Sequence, residues 1–269
     1  MSAGTVILVG CGQMGSAMLR GWLASGAASR FVVVEPAGAP EALVAPPKIE
    51  AHRAAAELAG GLMPDAVVFA VKPQGIGDIV PDYRRFARPG TVFMSIAAGT
   101  TIGGLARHLG DAAIVRVMPN TPAAIGRAIS VACANPAVTT GQRELCEALL
   151  AAIGESTWVE DEGLLDAVTA VSGSGPAYVF LLIEALAAAG ANCGLPPELA
   201  AHLALATVAG AGELARVSDE APAKLRENVT SPGGTTRAAL DVLMGEGGLA
   251  ELMDRAVAAA TRRSRELAR

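Results

Sequence analysis

The chain has 269 residues, of which 52% are hydrophobic and 17% charged, with a formal net charge of −5 and a mean hydropathy of +0.42. Such a chain holds one large or two modest domains with extensive burial, which excludes a mainly disordered protein, and its mild acidity without a Lys/Arg cluster argues against nucleic acid or an anionic membrane as partner. Cys11, Cys133, Cys146 and Cys193 form no C-x-x-C pair and His52, His108 and His202 lie far apart, so no metal-ligand spacing is present and the scattered thiols suit a reducing cytoplasm.

Residues 5–9 form the first predicted strand, with no charged segment and apolar core of a secretory signal before it, so a cytoplasmic location is expected. The strand feeds into Gly10-Cys11-Gly12-Gln13-Met14-Gly15 and a helix-like run at 16–23. In this strand–turn–helix setting G-x-G-x-x-G points to a dinucleotide: Gly10 for the tight turn, Gly12 for close approach of a pyrophosphate, Gly15 for helix–strand packing. The alternative is a Gly-rich turn that binds nothing. A second strand at 31–34 ends in Glu35, about 20 residues beyond Gly15, where such a fold sets an acid against the ribose 2′-hydroxyl.

Further strands are predicted at 66–71, 91–96 and 113–118, and alternation with helical connections to about residue 159 predicts a parallel, doubly wound α/β sheet. Its ligand crevice lies at the carboxyl ends of the strands, where Gly10, Glu35, Lys72, Ala97 and Pro119 emerge.

Past Glu160-Asp161-Glu162 the strands stop, and Ala/Leu-rich helical stretches follow at 164–170, 176–192, 197–217, 221–228, 235–245 and 248–267. We therefore expect two domains, 1–160 and 161–269. Residues 177–186 and 199–212 are apolar nearly all round yet too short and interrupted for membrane spans, so a subunit interface, and at least a dimer, is expected. The alternative is a compact monomer whose domains cover each other. Within this half Ser231-Pro232-Gly233-Gly234-Thr235-Thr236 is the main chemical signal. Ser231 is expected to cap a helix, Pro232 to occupy its first turn, and the two glycines to leave N–H groups open to a small carboxylate, the alternative being a merely structural cap.

These segments resemble the pyrroline-5-carboxylate reductases. The likeness is carried by the Gly10–Gly15 loop, Ala70-Val71-Lys72-Pro73-Gln74, Ser95-Ile96-Ala97-Ala98-Gly99-Thr100, Arg116-Val117-Met118-Pro119-Asn120-Thr121-Pro122, Ala167-Val168-Thr169 with Ser172-Gly173-Ser174-Gly175-Pro176-Ala177-Tyr178, and the Ser231–Thr236 segment. The resemblance implies an N-terminal Rossmann-like domain, an all-α C-terminal dimerisation domain, often a decamer of five dimers, and reduction of (S)-1-pyrroline-5-carboxylate to L-proline by hydride from NADH or NADPH. It implies that Thr236 hydrogen-bonds the ring nitrogen, while the backbone N–H groups of Gly234, Thr235 and Thr236 are expected to hold the substrate carboxylate at the helix start, with Ser231 and Gly233 also expected at the substrate. Glu162 resembles a glutamate on the ring-nitrogen side, or is a solvated helix-start acid.

On the cofactor side the resemblance implies Gly10, Cys11, Gly12, Gln13, Met14 and Gly15, Val71, Lys72 and Pro73, and Ala97 with Ala98; Glu35 with Pro36, expected at the cofactor from its place after the second strand, departs from the small polar or basic set that many members carry there with NADPH. Asn120 contacts the nicotinamide or holds a turn, and Asn228 stands near both ligands or ends a helix. Glu35 opposes a 2′-phosphate, and Pro36-Ala37-Gly38-Ala39-Pro40 offers no Arg, Ser or Thr to receive one, which leans toward NADH, with Arg53 the alternative cation for a 2′-phosphate and the choice between NADH and NADPH left open. A hydroxyacid dehydrogenase or other imine reductase is a second reading, weakened because no Lys or His follows Ser172-Gly173-Ser174-Gly175-Pro176 until His202. A third is a nucleotide-sensing protein without chemistry, which the presence of Thr236 and the motif glycines disfavours.

Overall fold

The computed structural model describes residues 3–40, 43 and 49–268. By internal contacts the chain divides into two compact units, residues 1–173 with 260–269 and residues 174–259.

The first unit is an α/β layer. In chain order it contains β1 (Ala3–Val9), α1 (Gln13–Ser25), β2 (Ala28–Val34), β3 (Ile49–His52), β4 (Ala66–Phe69), α2 (Ile76–Ile79), β5 (Val92–Ser95), α3 (Ile102–Leu109), β6 (Ala113–Met118), β7 (Ala128–Ala134), α4 (Thr140–Ala151), β8 (Gly154–Trp158) and α5 (Leu164–Val168). The strands form one sheet in the order β3-β2-β1-β4-β5-β6-β7-β8. The five predicted strands occupy its centre, flanked by helices on both faces, so every residue of β4, β5 and β6 is buried and the three strands are apolar apart from Ser95 and Arg116.

Two expectations change. The sheet gains β3, β7 and β8, and it is not wholly parallel, since β7 runs antiparallel to β6. Only the 3₁₀ turn Thr121–Ile125 and its flanking residues join these strands, too short a link for a parallel crossover. The next link contains α4 and restores a parallel β7–β8 pair.

Side chains alternate between two apolar layers. One holds Val6, Leu8, Phe31 and Trp22, with the Trp22 indole N–H donating to the Leu149 carbonyl of α4 (2.9 Å). The other holds Ile7, Phe69, Tyr83, Phe86, Phe93 and Leu105. Cores on both faces fix the strand ends, and so the loops that follow them. The last turns of α10 (Leu249–Leu267) count with this unit: Ser264 donates a buried hydrogen bond to Asp166 (2.6 Å) beside the fully buried Leu165.

The second unit is helical, comprising α6 (Gly175–Asn192), α7 (Pro197–Val217), α8 (Pro222–Asn228), α9 (Thr235–Leu243) and the first part of α10. Only Ala200 and Ala204 are buried among its described residues, while Phe180, Leu181, Leu182, Leu205 and Leu214 are each about half exposed or more (48–62%). Such apolar exposure marks an association surface. The reading of α6 as too short to span a membrane needs correction. A π turn at Thr169–Gly173 links α5 to α6, so the helical run Leu164–Asn192 has 29 residues and contains a stretch of mean hydropathy 1.4, long and apolar enough by length and composition.

Candidate functional site

In the first unit the glycine loop has the shape its sequence requires. Gly10 has φ +90°, and a Cβ there would meet the Ala70 carbonyl at 2.8 Å. A Cβ on Gly15 would strike the Gly10 carbonyl, whereas one on Gly12 would meet nothing within 4 Å. Gly12 is also the N-cap of α1, with no side chain capping the helix and no acid in its first turn. The first N–H groups of α1 are thus left to an outside acceptor at the positive end of the helix dipole. The Ser16 hydroxyl donates to the Cys11 carbonyl (2.7 Å) and closes the loop on itself.

Glu35, at the end of β2, is bound to this loop. Its Oε2 accepts the Cys11 N–H at 2.7 Å and its Oε1 the Ala37 N–H at 3.2 Å. Gly10, Gly12, Glu35, Pro36, Val71 and Lys72 line one cavity of about 500 Å³ together with Arg53 and Tyr83. Six of the expected cofactor positions are therefore brought together. Cys11 contributes backbone: its side chain is buried, and burial raises the pKa of its thiol. Gln13 is exposed on the first turn of α1 and Met14 packs partly against the core, neither on the cavity wall.

Pro73 and Ala98 line a second cavity of about 330 Å³, beside Thr100, Arg107, His108 and Leu267. Ala97 is buried, its N–H donating to the Ser95 hydroxyl (3.3 Å). Asn120 is buried, and its Oδ1 accepts the Ile129 N–H (3.0 Å), so of its two expected roles the structure displays the turn-holding one.

Sequence reasoning gave Arg116 no role of its own. It lies in the otherwise apolar β6, 3% exposed, and Nη1 donates to Glu162 Oε1 at 2.9 Å. The same oxygen accepts the Ile102 N–H at the start of α3 (2.8 Å). Glu162 is therefore no simply solvated acid. The clue in the sequence was a lone cation in an apolar strand, which enters a core only when paired.

In the second unit the Ser231–Thr236 segment forms a turn and then a helix. Gly233 has φ +69°, the Gly234 N–H donates to the Ser231 carbonyl (3.1 Å), and α9 begins at Thr235 with Gly234 as N-cap. Ser231 is thus not the cap and Pro232 is not in the first helical turn. The Gly234 N–H is engaged in that turn, leaving Thr235 and Thr236 as the first N–H groups without helical acceptors. A Cβ on Gly234 would meet Ser231 Oγ at 2.7 Å, so a larger residue there would force the Ser231 side chain to turn away. Asn228 ends α8 and donates from Nδ2 to Glu220 (2.8 Å); no non-glycine residue among those described has a left-handed backbone.

The first unit thus offers an anion-accepting helix start over a dinucleotide-sized cleft, the second a helix start with an adjacent hydroxyl. Comparison with known proteins agrees with this pairing. The family model described as pyrroline-5-carboxylate reductase dimerisation matches residues 162–267, and that described as NADP oxidoreductase, coenzyme F420-dependent, matches residues 5–99. A pyrroline-5-carboxylate reductase of Pseudomonas aeruginosa is 39% identical over 100% of this chain and 98% of its own. Among solved structures, the Coxiella burnetii pyrroline-5-carboxylate reductase superposes with a TM-score of 0.88 at 33% identity, covering 98% of each chain. The Plasmodium falciparum pyrroline carboxylate reductase with NADP bound gives a TM-score of 0.84 at 30% identity, covering 100% of both.

Proposed function

The chain belongs to the pyrroline-5-carboxylate reductase family, and from that premise we propose how its residues divide the work. The reaction is reduction of (S)-1-pyrroline-5-carboxylate to L-proline, the last step of proline biosynthesis. The observation that carries this function is full-length similarity to a curated reductase. NADH or NADPH, when bound, supplies the hydride that adds to the C=N carbon, and the ring nitrogen takes its proton from solvent.

Residues 1–160 form the dinucleotide-binding module and 161–269 the substrate-binding and dimerisation module. The free N–H groups of α1 and the open space at Gly12 suit a pyrophosphate. Pro36, Val71 and Lys72 wall its cleft; Gln13 and Met14 supply backbone at the helix start; Pro73, Ala97, Ala98, Asn120 and Asn228 flank the nicotinamide end. The N–H groups of Thr235 and Thr236 hold the substrate carboxylate, with Ser231, Gly233 and Gly234 shaping the turn beside it. The Thr236 hydroxyl donates to the ring nitrogen, which makes the imine carbon more electrophilic and positions it for transfer. Glu162, fixed by Arg116 and the Ile102 N–H, presents its remaining oxygen on the ring-nitrogen side.

The protein forms a homo-oligomer. We propose that the apolar faces of α6 and α7 are covered by a second copy rather than by lipid, that dimers assemble further into a decamer, and that the enzyme works in the cytoplasm, where its four free thiols persist. The dimerisation model matched over these helices supports a protein partner. Light scattering is expected to give at least twice the chain mass of 27.0 kDa. Leu182→Glu, at a residue 48% exposed on α6, is expected to reduce that mass to a single chain. An unchanged mass would move the interface elsewhere.

The direct test of function is initial-rate oxidation of NADH and of NADPH with pyrroline-5-carboxylate, followed at the nicotinamide absorbance. Turnover is expected with at least one cofactor. Failure with both would remove the substrate assignment.

A further inference from the structure

Resting on the reading of the glycine-loop cleft as the cofactor site, we infer that Glu35 makes this enzyme NADH-preferring, as a carboxylate locked where NADPH carries its 2′-phosphate. The backbone of Glu35 is tied to β3 by its N–H bond to the His52 carbonyl (3.0 Å). Its side chain is tied at both oxygens, to the N–H groups of Cys11 (2.7 Å) and Ala37 (3.2 Å). In a dinucleotide fold an acid at this strand end accepts from the ribose 2′-hydroxyl, and the same acid faces a 2′-phosphate with like charge.

Displacement of Glu35 is the obvious escape, and the loop opposes it. Cys11 is 4% exposed, so swinging the carboxylate away strands a backbone N–H that has no other acceptor among the described residues. The other charged groups on the cavity wall are Arg53, Lys72 and Asp82. Arg53 is the cation that a 2′-phosphate would seek, but it shares this cavity with an anion that stays. A diol satisfies Glu35 as it stands, whereas a phosphate requires both loss of the Cys11 bond and approach of like charges. This separates the chain from its Plasmodium falciparum relative, whose structure holds NADP.

The test is direct titration of NADH and NADPH into the substrate-free protein, by nicotinamide fluorescence or calorimetry, for the parent, Glu35→Gln and Glu35→Ser. The parent is expected to bind NADH tighter than NADPH by on the order of tenfold or more, and both variants should shrink that ratio by at least as much, chiefly through tighter NADPH binding. Because the ratio is taken within each protein, a general loss of loop stability in a variant cancels. Equal or tighter NADPH binding by the parent, or a ratio unmoved in both variants, overturns the inference while leaving the cofactor site intact. Binding of neither dinucleotide overturns the site and the inference together.

Discussion

Thr236→Ala is expected to lower kcat by about tenfold or more with a smaller change in KM, since one hydrogen bond to a nitrogen gaining negative charge is worth about 1.5–3 kcal/mol and each 1.4 kcal/mol is a factor of ten. The residue lies in the first turn of α9, on the helix whose leading N–H groups are proposed to anchor the substrate. Carboxylate binding uses backbone, which alanine retains, so the ground-state complex should survive. The hydroxyl acts on the nitrogen that becomes more basic as hydride arrives, so its loss should fall on the chemical step. Thr236→Ser keeps the donor and is expected to recover most of the rate. If steady-state kinetics give an alanine variant as fast as the parent, Thr236 has no part in the reaction.

The second large effect separates two glycines of one motif. Gly12→Ala should leave the melting temperature near that of the parent, because Gly12 has φ −66° and its added methyl meets no protein atom within 4 Å. It should nevertheless weaken dinucleotide binding by about tenfold or more, since the methyl stands where the pyrophosphate must approach the backbone. Gly15→Ala inverts the pattern. Its Cβ collides with the Gly10 carbonyl, a backbone atom held by the Gly10–Val34 strand connection, so the fold must shift at a cost of about 1–3 kcal/mol. Thermal melting and NADH titration on both variants decide the matter. A Gly12→Ala protein that binds NADH normally would show that this loop does not cradle the phosphates.

The central strands and their terminal loops were legible because a parallel sheet covered on both faces demands largely apolar runs, and residues 6–9 and 31–34, with 113–118 apart from Arg116, supply them. The outer strands were hidden for the opposite reason. Ile49–His52 carries Glu50 and His52 at a sheet edge, Ala128–Ala134 is built from small residues, and Gly154–Trp158 alternates half-buried and exposed positions, so none has the composition of a central strand. The helix start at 231–236 was misplaced by a few residues. Serine before proline is a common cap pattern, but the left-handed Gly233 inserts a turn that only the backbone conformation reveals. The helical run through Leu164–Asn192 was cut short because Ser172-Gly173-Ser174-Gly175-Pro176 reads as a loop, while a π turn carries the helix across most of it.

Local chemistry by itself determined the α/β class, the glycine loop, the acid at the end of β2, the apolar helices and the family, because each depends on residues near one another in the chain. Only the tertiary structure decided that Arg116 and Glu162, 46 positions apart, form a pair with the start of α3, that Asn120 holds β7, and that Glu35 is clamped to the Cys11 N–H. Those partners meet because two packed layers hold the sheet in register, and a hydrogen bond between distant residues is created by that register rather than by either residue's own preference.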